Sequence, residues 1–142
     1  MRSTGERSRL LATLVGSDRA LIVTSGLVLM AQGRLATEDD KPVPPSPSYP
    51  RASEVTAAVL AEHGMNTWVV RLPQVHDTLK QGLVTYAISI AREKGISAYI
   101  ADGRNRWAAV HLLDAARLYR LALENAEPGA RYHAAAEEGL LV

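Results

Sequence analysis

The segment Ala20-Leu-Ile-Val-Thr-Ser-Gly26 sets two hydroxyl side chains, Thr24 and Ser25, at the end of an apolar run. A run of this length suits a parallel strand covered on both faces. In open parallel sheets, ligands collect at the carboxyl ends of the strands. Thr24 and Ser25 therefore stand where a hydroxyl can touch a ligand, or where it satisfies the backbone of a tight turn. The other reactive side chains are dispersed. His63, His76, His111 and His133 lie far apart without ligand spacing, so no metal site is expected. Serine, histidine and aspartate all occur, but no Gly-x-Ser-x-Gly elbow accompanies them, which argues against a hydrolase. The sequence has no cysteine, which excludes disulfides, thiolate metal sites and a cysteine nucleophile, and fits a cytoplasmic location.

The elements that must hold these groups follow a βα rhythm. Ser3-Thr4-Gly5-Glu6 has capping-box spacing, and Leu10, Leu11, Leu14 and Val15 continue it as a helical face that Gly16 ends. The strand at 20–24 follows. Between Gly33 and Pro50 lie an acidic stretch and five prolines, a density that forbids a helix interior or a central strand. This segment reads as an interdomain linker or as a long ordered loop over a site, and the shortness of both flanks favours the loop. Arg51 to His63 is predicted helical, with Val55, Val59 and Leu60 inward and Gly64 as its stop. Thr67-Trp68-Val69-Val70-Arg71 is a second buried strand, and Leu72 to Asp77 leaves it as a loop.

Asp77 or Thr78 is placed to cap a third helix carrying Leu79, Leu83, Tyr86, Ala87 and Ile90, ended by Gly95. A short strand at 97–100, a turn at Asp102-Gly103, a helix over 111–125, a turn at Pro128-Gly129 and a strand at 131–134 complete the pattern. Helix, glycine, apolar strand, repeated, implies an α/β class with a small, mostly parallel sheet flanked by helices. With 142 residues, 47% of them hydrophobic, the chain is sized for one domain with a sizeable core. A net charge of +1 argues against a dedicated nucleic-acid or anionic-membrane partner. No run of 18 apolar residues offers a membrane span, and the polar start carries no apolar signal core.

Four stretches, in this order, resemble the extended and atypical short-chain dehydrogenase/reductases of the NAD-dependent epimerase/dehydratase group. Leu21-Ile22-Val23-Thr24-Ser25-Gly26 is similar to the strand that bears the family's catalytic hydroxyl. The proline-rich loop and Tyr49-Pro50-Arg51-Ala52-Ser53-Glu54 resemble its Tyr-x-x-x-Lys segment, with Ser53 in place of the Lys. Val69-Val70-Arg71-Leu72-Pro73-Gln74-Val75-His76-Asp77 is similar to its strand ending Arg-Pro-x-x-Val-Tyr-Gly. Asp102-Gly103-Arg104-Asn105-Arg106, continuing through Val110-His111-Leu112-Leu113-Asp114, resembles its Gly-Asp-Gly-x-x-x-Arg and Val-His-x-x-Asp motif.

The resemblance implies a Rossmann-like, doubly wound domain of which residues 1–142 form an interior or C-terminal part, with a portion of the substrate lobe at about 72–112. The family's N-terminal Gly-rich turn, which binds the pyrophosphate, has no counterpart in this sequence. By resemblance Ser25 and Tyr49 are the catalytic residues, and Thr24, Pro73, Gln74 and Val75 contact NAD or NADP. Arg106 and His76 face a small-molecule substrate. Arg106 stands where the family aims an arginine at a phosphate or carboxylate, the anions that a guanidinium binds bidentately. Trp107 is expected in the core. The implied activity is oxidoreduction, epimerisation or dehydration of a sugar-nucleotide-like or other hydroxyl/carbonyl substrate. The alternatives are a truncated or degenerate non-catalytic module and a partner-dependent subunit. Half of a doubly wound sheet exposes strand edges and an apolar helix face, which predicts self-association.

Overall fold

In a computed structural model the described residues are 14, 16–27, 30, 33–99, 101–125 and 127–141. The helix expected over the first fifteen residues lies outside them, apart from Leu14. The described chain forms nine elements: β1 (Leu21–Gly26), α1 (Ser53–Glu62), β2 (Thr67–Leu72), β3 (Gln74–His76), α2 (Val84–Lys94), β4 (Arg106–His111), α3 (Leu112–Asn125), β5 (Arg131–His133) and β6 (Glu137–Leu141). They build two three-stranded sheets. The first has the order β1-β2-β5 and is wholly parallel, with Leu21 opposite Thr67 and Val69 opposite Arg131. The second has the order β3-β4-β6; β3 and β4 are parallel and β6 runs antiparallel to β4.

β2 is the central strand of the first sheet, and its residues from Thr67 to Arg71 are all buried. A strand covered on both faces needs apolar side chains on both, which Trp68, Val69 and Val70 supply. β1 carries an equally apolar sequence but is only half-buried, with Thr24 exposed. It pairs with β2 along one edge alone among the described residues. α1 packs on β1 and β2, and α3 packs on β4 and β3. Gly64 follows α1 with φ +80°, and Gly95 closes α2 in the left-handed region. Only glycine takes that backbone without strain, so both helices stop where the sequence implies.

Several expectations need correction. α1 starts at Ser53 rather than Arg51, because Ala52, with φ −107° and ψ 1°, lies off helical geometry. Its buried face is Glu54 and Ala57, whereas Val59 is exposed. Asp77 caps no helix. Its Oδ1 accepts the Leu79 and Lys80 N–H groups in a tight turn, and α2 begins seven residues later, at Val84. The apolar stripe of the third helical segment points outward: Leu79 is 88% and Tyr86 71% exposed. Residues 97–99 form no strand, since no neighbouring strand pairs with them. Instead the segment read as a loop after β2 supplies β3, and β4 and β6 complete a second sheet.

One buried cation ties the layers together. Arg71 of β2 has no exposed surface and meets Glu54 of α1, which is 6% exposed. Its Nε donates to Glu54 Oε1 at 2.9 Å and its Nη2 to the same oxygen at 2.5 Å. Other donors reach the segment 37–40: Nη1 to the Thr37 carbonyl at 3.3 Å and Nη2 to the Asp40 carbonyl at 2.6 Å. Removing one partner of a buried pair strands the other charge away from water. Glu54→Leu should therefore destabilise the chain by about 3–5 kcal/mol, read as a lower urea midpoint. Adding Arg71→Met to it should cost less than the sum of the two single changes.

Candidate functional site

The three parallel strands of the first sheet end at one rim. Leu27 lies just beyond β1, Pro73 and Gln74 just beyond β2, and His133 and Ala135 at the end of β5. All five line a single cleft of about 710 Å³. Its other walls come from residues 34–38, Leu83, Glu138, and Arg106-Trp107-Ala108 of β4. The volume lies within the range of small-molecule sites, and the position is the one that open parallel sheets offer to ligands. Trp107 is thus a half-buried wall residue rather than core.

The expected site residues divide into two groups. Pro73, Gln74 and Arg106 share the cleft. The Gln74 side-chain oxygen accepts the Leu83 N–H at 3.1 Å, which holds the α2 end of the wall in place. Arg106 Nη1 donates to the Gly139 carbonyl of β6 at 2.9 Å, and among the described residues no hydrogen bond engages its Nε or Nη2, donors that suit an anion. The others lie outside the lining. Val75 is half-buried in β3 opposite Val110. His76 sits beside it, its ring edge-on to that of His111 with centroids 5.7 Å apart. Thr24 Oγ1 is 2.6 Å from the Tyr119 hydroxyl on α3. Ser25 is half-buried, in register with Arg71.

Tyr49 closes a turn in which it exchanges backbone hydrogen bonds with Ser46, both at 3.0 Å. The Arg51 guanidinium carbon lies 5.8 Å from its ring centroid, a cation–π distance. Nη1 of the same guanidinium is 3.8 Å from the point that a Cβ on Gly26 would occupy. Arg51 thereby links Tyr49 to the carboxyl end of β1. It does so because it precedes α1 and is free of the helix's side-chain direction.

Residues that sequence reasoning missed dominate the electrostatics. Arg34 grips Asp40 with both terminal nitrogens, at 2.9 and 2.5 Å, and Asp40 Oδ2 also accepts the Thr37 N–H. The Arg34 hydrogen bond, then that backbone donor, hold the Asp40 carboxyl well below the usual carboxylate range. Glu38 accepts the His133 N–H at 3.0 Å, and its carbonyl accepts Arg131 Nε at 3.0 Å. Burial pushes the His133 imidazole below its ordinary value; Arg71 adds to that and Glu38 opposes it. One signal was available: an arginine inside Trp-Val-Val-Arg-Leu must be paired if the strand is buried. Among the described residues no group of three or more His, Asp or Glu could hold a metal ion. No described helix is long and apolar enough to cross a membrane.

No protein-family model matches the chain. It is 45% identical over 130 residues to an uncharacterized protein of Schizosaccharomyces pombe, covering 89% of this chain and 43% of that one. An uncharacterized protein of Saccharomyces cerevisiae is 34% identical over 132 residues, covering 92% of this chain and 44% of that protein. The chain thus spans under half the length of these curated relatives. Among solved structures it resembles a dTDP-glucose 4,6-dehydratase from Streptomyces venezuelae with NAD bound: TM-score 0.70, 21% identity, 93% of this chain and 44% of the other. A UDP-glucuronic acid 4-epimerase from Bacillus cereus, in complex with UDP-glucuronic acid and NAD, gives TM-score 0.72, 17% identity and the same 93%, with 45% of its own chain covered. The fold is therefore a part of the Rossmann-type α/β fold found in NAD-dependent sugar-nucleotide dehydratases and epimerases.

A tight point adjoins Gln74 of the cleft wall. A Cβ on Gly82, whose φ is +57°, would lie 2.7 Å from Gln74 Oε1 and 3.1 Å from the Val75 carbonyl. Gly82→Ala should displace the Gln74 side chain and destabilise the chain by more than about 1 kcal/mol. Thermal denaturation checks the stability, and Trp107 emission reports the wall.

Proposed function

We propose that this chain forms the cofactor- and substrate-facing part of an NAD(P)-dependent oxidoreductase, epimerase or dehydratase acting on a sugar-nucleotide-like or other hydroxyl/carbonyl substrate. The observation that carries this reading is the convergence of the β1, β2 and β5 carboxyl ends on one cleft with Arg106 in its wall. NAD or NADP supplies hydride transfer when bound. On this chain the main chain and side chains at Pro73 and Gln74, in the cleft lining, would flank the nicotinamide end, with Val75 and Thr24 reaching the cofactor from outside that lining. The cleft suits that end of the cofactor. The pyrophosphate would need amide donors from a Gly-rich turn, which this sequence lacks.

Arg106 would bind a substrate phosphate through the nitrogens that Gly139 leaves free, with His76 beyond it on the substrate side. Tyr49 would exchange the proton of the reacting hydroxyl, with Arg51 as the nearby cation in place of the absent Lys, and Ser25 would hydrogen-bond the substrate oxygen. A reducing, cytoplasmic setting fits the cysteine-free sequence.

A second reading rests on the exposed apolar helix faces, Tyr86 and Ile90 on α2 and Leu113 and Leu123 on α3. On it the chain binds nucleotide only together with a complementary half, whether in the same polypeptide, a partner or a second copy.

Titration with NADH and NADPH, following cofactor fluorescence, should show saturable binding. Arg106→Ala should then weaken dTDP-glucose or UDP-glucuronic acid at least tenfold, or about 1.4 kcal/mol. No saturable binding by this chain alone would favour the second reading. No saturable binding when the chain is supplied with a complementary Gly-rich half, joined or added in trans, would overturn both. Where turnover is measured, Tyr49→Phe should lower it by about two to four orders of magnitude, the usual contribution of a positioned acid or base. Unchanged turnover would remove Tyr49 from the chemistry.

A further inference from the structure

The guanidinium of Arg71 approaches the His133 ring, Nη1 to Nε2 at 3.1 Å. Arginine carries donors only and keeps its proton throughout the working pH range. The contact is therefore a hydrogen bond only when Nε2 holds a lone pair, with the imidazole neutral and its proton on Nδ1. On protonation the same two nitrogens become facing N–H groups of two cations in a half-buried place. Glu54 grips Arg71 twice, so the imidazolium is the partner that must leave. His133 already lines the cleft, and its backbone N–H is bound to the Glu38 carboxylate, so its displacement pulls on the wall formed by residues 34–38.

We propose that Arg71 and neutral His133 are positioning residues that hold the 34–40 wall of the cleft, and that protonation of the imidazole releases it. The proposal regulates the cleft described above, while its geometry stands without any ligand. The charged groups facing His133 are Arg71 from β2, Glu54 from α1, and Glu38 and Asp40 from the wall. The three carboxylates favour the imidazolium; burial and Arg71 oppose it, and burial is the largest influence. The native imidazole thus titrates below its unfolded value. The contact is complete above about pH 6.5 and is lost as pH falls through the lower native value. Asp40, held far below the usual carboxylate range, keeps its charge over that window.

Hydrogen exchange followed by mass spectrometry, corrected for intrinsic rates, tests this at pH 7.5 and at a pH below the His133 midpoint, read from its ring resonances by NMR. The amides of Thr37, Asp40 and His133, each bonded within the wall or to it, should lose protection at least tenfold at the lower pH while β2 stays protected. His133→Gln, whose side-chain oxygen accepts from Arg71 at any pH, should retain protection at both values; His133→Asn serves should that variant not fold. Unchanged wall protection in the wild type, equal loss across β2, or a pH dependence that survives the amide substitution would each overturn the proposal. Nucleotide plays no part in this measurement, so its outcome is separate from that of the cofactor titration.

Discussion

A guanidinium buried in the middle of a strand has five N–H groups, and each must find an acceptor. At Arg71 all five do. Nε and one Nη2 hydrogen go to Glu54, the other Nη2 hydrogen to the Asp40 carbonyl, and the two Nη1 hydrogens to the Thr37 carbonyl and His133. Among the described residues no buried side-chain nitrogen or oxygen lacks a partner. This one residue joins α1, β2, β5 and the loop between β1 and α1. Three of those pieces, the ends of β2 and β5 and the loop, wall one side of the cleft, so the site takes part of its shape from a buried ion pair.

The loop needs that arrangement for a reason visible in its composition. Five prolines between positions 42 and 50 lack N–H groups and cannot join a ladder, so a helix or sheet cannot satisfy the neighbouring carbonyls. The carbonyls of Thr37, Glu38 and Asp40 turn instead to arginines, Arg71 and Arg131. Asp40 in turn accepts Arg34 and the Thr37 N–H, which shapes residues 34–40 from within. The acidic residues ahead of the prolines thus form a wall held by cations from two strands.

The legible parts of the fold were those fixed by local sequence. Thr67 to Arg71 read as a buried strand because Trp68, Val69 and Val70 form a continuous apolar run, and Gly64 and Gly95 marked helix stops and Gly129 a turn, where each adopts positive φ. β3 was opaque: Gln74-Val75-His76 is three residues long and only half-buried, so no period announces it, and only pairing with Ala109 to His111 makes it a strand. The reverse happened at 97–99, where suitable residues have no strand beside them. In the site, Pro73, Gln74 and Arg106 were legible through the resemblance. Arg34, Glu38 and His133 were not, because their roles arise from contacts between segments up to 95 residues apart.

Those contacts also bear on how much of the proposed cofactor cleft the chain can supply. A dinucleotide has two demands: a shaped recess for its reactive ring and a set of backbone donors for its pyrophosphate. On the proposed function, the rim of β1, β2 and β5 would meet the first. The second needs a glycine turn ahead of a helix, and the described glycines with positive φ instead serve helix stops and surface turns. The apolar residues on α2 and α3, Tyr86 at 71% and Leu113 at 70% exposure among them, extend the same asymmetry. A face of this kind gains stability only against another apolar surface. Among the described residues β1 pairs with β2 alone, so its second edge is open in the same way. On the proposed function, cofactor binding and burial of these faces would be coupled: whatever brings the pyrophosphate donors to β1 would also cover the surface that the described residues leave open.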